Sequence, residues 1–227
     1  MKTSLIKLFA FLIVTIIPVF LVLYFKEKNN FKNSAAPKPI WALDSTIVDG
    51  KKEIIYHQVP YLLGQNADGK MISTDVMTGK VSVVEVFFTQ CPSICPIMNK
   101  QMQRVFDAFR NNERFRIFSY SIDYERDSLS ALKDYAKKHN ANLDKWYFLR
   151  TEPDSLFNFG TKGLKIPISD EDSQDKFLHS ERFVLIDWNK NIRGYYMGTD
   201  SIEVNKMMNH IVLLLSEKDR LDKKKKK

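Results

Sequence analysis

The stretch FFTQCPSICPIMN, residues 87–99, holds both cysteines of the chain, Cys91 and Cys95, each followed by a proline. Two cysteines four positions apart fit a small structural disulfide, a reactive thiol pair or a soft-metal site. Proline disfavours the α conformation in the residue before it and suits the first helical position. Each cysteine therefore sits at a bend, with a helix starting at or just after one of the prolines. Free N–H groups and the positive end of such a helix stabilise a thiolate. Closing so short a loop would restrain little of the unfolded chain, which counts against a purely structural disulfide. Packing as small apolar residues does not explain two cysteines beside prolines at one turn. Pro92, Ser93 and Ile94 separate the pair, one residue more than in the common redox motif. That spacing lets the sulfurs meet, and equally lets them stand apart around one ion. Two thiolates suit Cu(I) or part of a zinc site, and either ion wants at least one more ligand.

The elements that must position this pair follow from periodicity. VSVVEVFF, Val81–Phe88, is an apolar β-rich run that fits a buried central strand, and Cys91 falls just past its end. Pro96–Arg110 places Ile97, Met98, Met102, Val105, Phe106 and Phe109 at helical spacing. Met98 and Met102 belong to that stripe and are expected in the core rather than as soft ligands. A strand (115–123), a helix (128–139), a strand (146–149) and a short helix (154–160) come next. RFVLID and IRGYYMG form a hairpin across WNKN, and Ser201 caps a last helix running to about Glu217. Upstream, VPYLL and KMIS flank the turn-rich GQNADG as a further hairpin. Helical crossovers give a parallel portion and the late hairpin an antiparallel one. The order predicts a thioredoxin-like α/β sandwich with a mixed central sheet, which presents reacting groups at the carboxyl ends of its strands.

A third ligand is sought among four histidines. His57 precedes the first strand, His139 ends a lysine-rich helix and His210 lies in the last helix; surface or packing roles are expected of all three. His179, in DKFLHSERFVLID, comes just before a strand, where this fold turns a loop toward the cysteine motif. Redox members carry a cis-proline there, but no proline follows Pro167 in this chain. A neutral imidazole in that place is offered to whatever the thiolates hold.

The ends of the chain speak to location. LIKLFAFLIVTIIPVFLVLYF, residues 5–25, approaches the ~20 residues needed to cross a hydrocarbon core and is expected to be one uncleaved transmembrane helix, with residues 1–4 as a short flank. The only candidate cleavage site, Ser34–Ala36, lies far beyond the apolar run and precedes Pro37, and no cysteine stands nearby to take a lipid. Pro18 is tolerable in a membrane helix. Residues 26–44 read as a tether, 45–217 as the folded domain and 218–227 as a lysine-rich tail. More lysines follow the span than precede it, which by itself favours the wrong side for export, although large domains translocate largely regardless of such charges. Net charge is +8, five of it in Lys223–Lys227, and no basic stripe interleaved with aromatics marks a nucleic-acid surface.

These residues resemble the SCO/SenC family, copper proteins of thioredoxin-like fold that help assemble cytochrome c oxidase. FFTQCPSICPIM is similar to its F-F-T-x-C-P-x-x-C-P pattern, SIDYERDSLSALKDYA to its S-x-D-P-E-R-D segment, and HSERFVLID to its histidine segment. The similarity runs from about Gln58 to Leu215. It implies Cys91, Cys95 and His179 as copper ligands and Asp123 as an acid behind them. Asp127 matches the second acid of that segment, where a turn or capping role is expected. Tyr124 departs from the family's proline. The resemblance also implies an N-terminal anchor with the domain outside the cytoplasm, the copper subunit of cytochrome c oxidase as partner, and a copper donor or thiol reductant. Without an Arg-rich, acid-poor presequence, a bacterial inner membrane with the domain on its periplasmic side is expected.

Reduced cysteines bind the ion and an oxidised pair cannot, so the thiol state gates loading. The implied role is copper delivery to the CuA centre, or reduction of that centre's cysteines. The rival is a membrane-tethered thiol:disulfide oxidoreductase, which would not require His179. A thiol peroxidase fits less well, since its threonine stands three residues before the reactive cysteine and Thr89 stands two before Cys91. A copper or redox sensor has the same sequence features.

Overall fold

The structure is a computed structural model that describes residues 15–21, 35–48, 51–166 and 180–225. It comprises two units, Met1–Ala36 and Pro37–Lys227. In the first, residues 15–21 are helical; the rest of the expected 5–25 span lies outside the described residues. Among the described residues no helix is long and apolar enough to cross a membrane.

The second unit opens with an antiparallel pair, β1 (Ala42–Val48) and β2 (Lys51–Tyr56). Then come β3 (Leu63–Asn66), β4 (Met71–Ser73), β5 (Val81–Phe87), α1 (Cys95–Phe109), β6 (Phe115–Ser121), α2 (Leu129–Lys138), β7 (Trp146–Arg150) and α3 (Pro153–Asn158). A π-turn at Phe159–Gly163 extends α3, and β8 (Arg182–Ile186), β9 (Ile192–Met197) and α4 (Ser201–Lys225) complete the unit. The main sheet has the order β4-β3-β7-β6-β5-β8-β9. Its centre, β5-β6-β7, is parallel, and β8, β9, β3 and β4 add antiparallel pairs. This is the expected thioredoxin-like α/β fold with a mixed sheet.

Every residue of β5 is buried, as a strand covered on both faces requires. On one face Phe106 of α1 meets Trp146, and Tyr135 of α2 meets Phe87 and Phe148. On the other, Phe159 packs on Tyr120 within a cluster that includes Val59, Leu62 and Met77. Met98 and Met102 are in the core as their spacing predicts.

Three local readings differ from the structure. The first hairpin turns at Ala67–Lys70, and Gly64–Asn66, expected in its loop, is strand. Asn66 decides this, because its Oδ1 accepts Phe148 N–H (3.0 Å) and its backbone pairs with Leu149. Residues 37–41, read as tether, are held to the body. Ile40 N–H donates to Ile192 O (2.9 Å), Trp41 Nε1 to Tyr195 Oη (2.8 Å) and Arg193 Nε to Pro37 O (2.5 Å). Asp200, not Ser201, caps α4, its carboxylate accepting Ile202 N–H at 2.8 Å. That helix continues to Lys225, supported by Lys218–Asp222 and by Arg114 reaching Asp219.

Candidate functional site

β5 ends at Phe87, and α1 begins at Cys95 with a proline in its first turn and no side-chain cap. A helix start leaves backbone N–H groups unpaired. The Cys95 N–H, one of these, donates to Cys91 Sγ at 3.4 Å, so the sulfur stands where a capping oxygen would. Ser93 Oγ lies 3.9 Å from the same sulfur. Both thiols are free, with 7% and 4% exposure.

Their electrostatics are opposite. Burial works against ionising Cys91, but hydrogen bonds from the Cys95 thiol, the Cys95 N–H and Ser93 outweigh it and hold its pKa below the ordinary thiol value. Cys95 is pushed up, first by burial and then by the hydrogen bond its thiol gives Cys91; the Phe88 backbone opposes this without reversing it. Cys91 therefore ionises more readily than an ordinary thiol, while Cys95 resists ionisation.

The loop before Cys91 is fixed from β6 and the turn after it. The buried Asp127 carboxylate accepts Thr89 N–H (3.0 Å), Thr89 Oγ1–H (2.5 Å) and Ser121 Oγ–H (2.5 Å). Asp127 does lie in a turn, its N–H on Asp123 O (2.9 Å), but Ser128 is the cap of α2. Its hold on the cysteine loop is a role the sequence reading missed; the threonine two residues before Cys91 was the available signal.

Asp123 is buried, and its carboxylate binds Arg126 through Nε and the backbone N–H. Tyr124, which departs from the family's proline, makes its own support. Arg150 lies 3.6 Å above the Tyr124 ring and donates twice to Tyr124 O, while the Tyr124 hydroxyl reaches Glu152 (3.0 Å).

Three histidines have other occupations. His57 Nε2 meets Gly163 O (2.7 Å), His210 Nδ1 meets Tyr196 Oη (2.6 Å), and the His139 ring stands by Tyr135 and Trp146. His179 lies outside the described residues. Just beyond it, Glu181 O accepts Gly198 N–H (2.6 Å), and Gly198 backs onto Phe183 of β8 and the end of the Met98 side chain of α1. Among the described residues no three metal-binding side chains come together.

Glu85 was also missed, although a lone acid inside VSVVEVFF was the signal. Only 1% exposed, it accepts Ser119 Oγ–H at Oε1 (2.6 Å), and Trp146 Nε1 donates to that same hydroxyl oxygen (2.8 Å). Oε2 has no hydrogen-bond partner. Burial pushes its pKa up to about 7 against the pull of Ser119, and its charge in turn raises Cys95 and Tyr135.

The SCO1/SenC family model matches residues 57–215, the span holding both cysteines, the Asp127 anchor and β8. The chain belongs to the SCO1/SenC family. This SCO1/SenC chain is 28% identical over 152 residues to the SCO1 protein homolog of Bacillus subtilis (strain 168), across 66% of this chain and 79% of that one. Among solved structures it resembles BsSco, a member of the Sco family of cytochrome c oxidase assembly proteins in which a disulfide switch was identified. There the TM-score is 0.60 at 26% identity, covering 68% of this chain and 91% of BsSco. Arabidopsis thaliana ScoI with copper bound shares the fold, with TM-score 0.54 at 20% identity, covering 67% and 96%.

Proposed function

We propose that this SCO1/SenC chain is a membrane-anchored copper-binding protein that assists copper delivery to the CuA centre of cytochrome c oxidase. The observation that carries this is the free pair Cys91 and Cys95, with the Cys91 sulfur receiving the first N–H of α1. Two thiolates and one imidazole suit Cu(I), and the nitrogen helps accommodate Cu(II). His179 is the third ligand in this reading. Its support is that Glu181, two residues on, bonds Gly198, which lies against Phe183 of β8 and Met98 of α1, the helix that begins at Cys95. Asp123 serves as the acid behind the site, held through Arg126. Binding is gated by redox state, because forming the Cys91–Cys95 disulfide removes two electrons and two protons and leaves no thiolate. Residues 5–25 anchor the chain in a bacterial inner membrane, and the polar stretch after them carries the domain on the periplasmic side. Its partners are the oxidase copper subunit and a copper donor or thiol reductant.

A second reading, a thiol:disulfide oxidoreductase, draws on the asymmetry of the pair. A thiol that ionises readily beside one that keeps its proton suits attack on a partner disulfide followed by resolution. Anaerobic Cu(I) titration of the reduced full chain in detergent, against a competing chelator and beside His179→Ala, separates the two. One tightly held copper, severely weakened in the variant, supports the copper reading. Weak binding, or binding indifferent to His179, overturns it in favour of thiol exchange.

A further inference from the structure

Three features that the cysteine pair does not use meet at the far pole of the second unit. The first is the ribbon of β1 and β2, which forms a two-stranded sheet apart from the main one. Pairing of Ser45 with Ile54 and of Ile47 with Lys52 sets Ile47 and Ile54 on one face. Ile55, opposite Asp44, lies on the other. Leu43 is 65% exposed, Ile47 77%, Ile54 50% and Ile55 46%. A two-stranded ribbon is marginal in water, and this one leaves large apolar side chains open on both faces.

The second feature is the end of α4. A cavity of about 720 Å³ is lined by Leu43, Ile54 and Ile55 of the ribbon, by Pro39, and by Glu217 and Leu221 of α4, so these segments stand together. Leu221 is itself exposed, and Lys224, three residues on, shares its face. The acids of this stretch are engaged, Glu217 with Arg193, Asp219 with Arg114 and Asp222 with Lys218. Exposed Arg220, Lys223 and Lys224 therefore leave the helix end positive, and the sequence adds Lys225–Lys227. In the ribbon, Asp44 and Glu53 balance Lys51 and Lys52.

The third feature is the place where the chain leaves the body. Arg193, also in the cavity wall, holds Pro37 O there. Residues 26–36 lead back from it to the apolar stretch 5–25, over at most about 40 Å when extended. The same wall includes Trp188, whose carbonyl accepts Gly79 N–H (2.9 Å) ahead of β5, and Cys91 follows the other end of that strand. The length of β5 puts about 20 Å between the two poles.

We propose that this pole rests on an anionic lipid bilayer, with Leu43, Ile47, Ile54 and Ile55 entering its interface and the lysines ending α4 meeting its headgroups. Apolar side chains beside clustered lysines suit such a surface, whereas a second copy, carrying the same positive end, would be repelled. Resting on the anchoring in the proposed function, the contact adds an orientation. Cys91 and Cys95 face away from the bilayer, and exchange with them takes place from the aqueous side.

The test uses the full chain with Cys91→Ser/Cys95→Ser and one added cysteine, Ile47→Cys or Ile97→Cys, labelled with bimane. Vesicles contain phosphatidylcholine and about one third phosphatidylglycerol, with bromine on the acyl chains as quencher. Flotation first shows whether the vesicles hold the chain. The Ile47→Cys probe should lose about half its emission, and the Ile97→Cys probe almost none. Adding Lys223→Glu/Lys224→Glu should return about half of what was lost. Amide exchange of the unsubstituted chain reads the same surface with the native cysteines in place. Residues 42–48 and 51–56 should exchange about threefold more slowly in these vesicles than in phosphatidylcholine alone. A chain that floats with its Ile47→Cys probe unquenched overturns the contact and leaves the anchor standing. A chain that does not float overturns both. Equal quenching at the two positions overturns the orientation and this pole as the contact. Ribbon protection that grows with protein concentration, and not with anionic lipid, assigns the ribbon to a second copy and overturns the bilayer.

Discussion

Asp127 holds Thr89 twice, accepting its backbone N–H at 3.0 Å and its hydroxyl at 2.5 Å, across 38 positions of sequence. Ser121 donates to the same carboxylate (2.5 Å), so one buried acid ties the carboxyl end of β6 to the loop that carries Cys91. The anchor thereby fixes the backbone two residues before Cys91.

Asp127→Ala leaves three donors without their acceptor in a buried place. We expect a loss of about 2–4 kcal/mol in urea unfolding. Asp127→Asn keeps one acceptor oxygen and should lose roughly half as much. In Asp127→Ala, alkylation of Cys91 should follow the pH profile of an ordinary thiol, because Thr89 no longer fixes the loop; retention of the native profile there would deny the anchor its role.

Alkylation should also distinguish the two sulfurs. In the reduced chain at neutral pH, iodoacetamide should modify Cys91 about tenfold faster than Cys95, read by peptide mass spectrometry. The cause is the set of hydrogen bonds lowering Cys91 against the burial that raises Cys95. Ser93→Ala removes a contributor and should slow Cys91 while leaving Cys95 as it was.

Glu85 predicts a pH dependence of stability. Its pKa rises from 4.5 to about 7 on folding, so between those values the folded state binds a proton that the unfolded state has lost. Stability from this group is complete below about 4.5 and declines as pH rises toward and past 7. The decline is on the order of 3 kcal/mol. His139 and His210, both lowered chiefly by burial, act in the other direction, adding stability as pH rises through their unfolded range. Urea unfolding of wild type and Glu85→Gln at pH 5 and pH 8 isolates the carboxyl: the wild type should lose more between the two. Equal losses would show that Glu85 does not titrate there.

Arg193 is buried against Asp187 (2.8 Å) and also binds Glu217 (2.9 Å) and Pro37 O. Arg193→Met leaves the buried Asp187 carboxylate without its counter-charge, hydrogen-bonded only to Asn189 and Asn191, and a cost of about 3 kcal/mol is expected. Because the same guanidinium holds the start of the unit, amide exchange at residues 37–41 should accelerate together with the loss.

Much of this protein was legible in its sequence because the deciding physics is local. Alternation and apolar runs mark β5 and β6, helical spacing marks α1, and the proline after Cys95 places the helix start at the cysteines. Motif order marked the family. The extent of α4 and the strand at Gly64–Asn66 were not legible, since Asp219 and Asn66 find their partners in Arg114 and Phe148, far along the chain. The same reason hid the anchor and the buried acid. Asp127 looks like a turn residue until parallel pairing of β5 with β6 sets the cysteine loop beside Ser121, and Glu85 meets Ser119 only through that register. Local sterics and periodicity determined which residues could do chemistry. The long-range pairing of the sheet decided which neighbours set their charge, because a carboxylate's hydrogen bonds and burial are properties of the packed chain and not of its spacing.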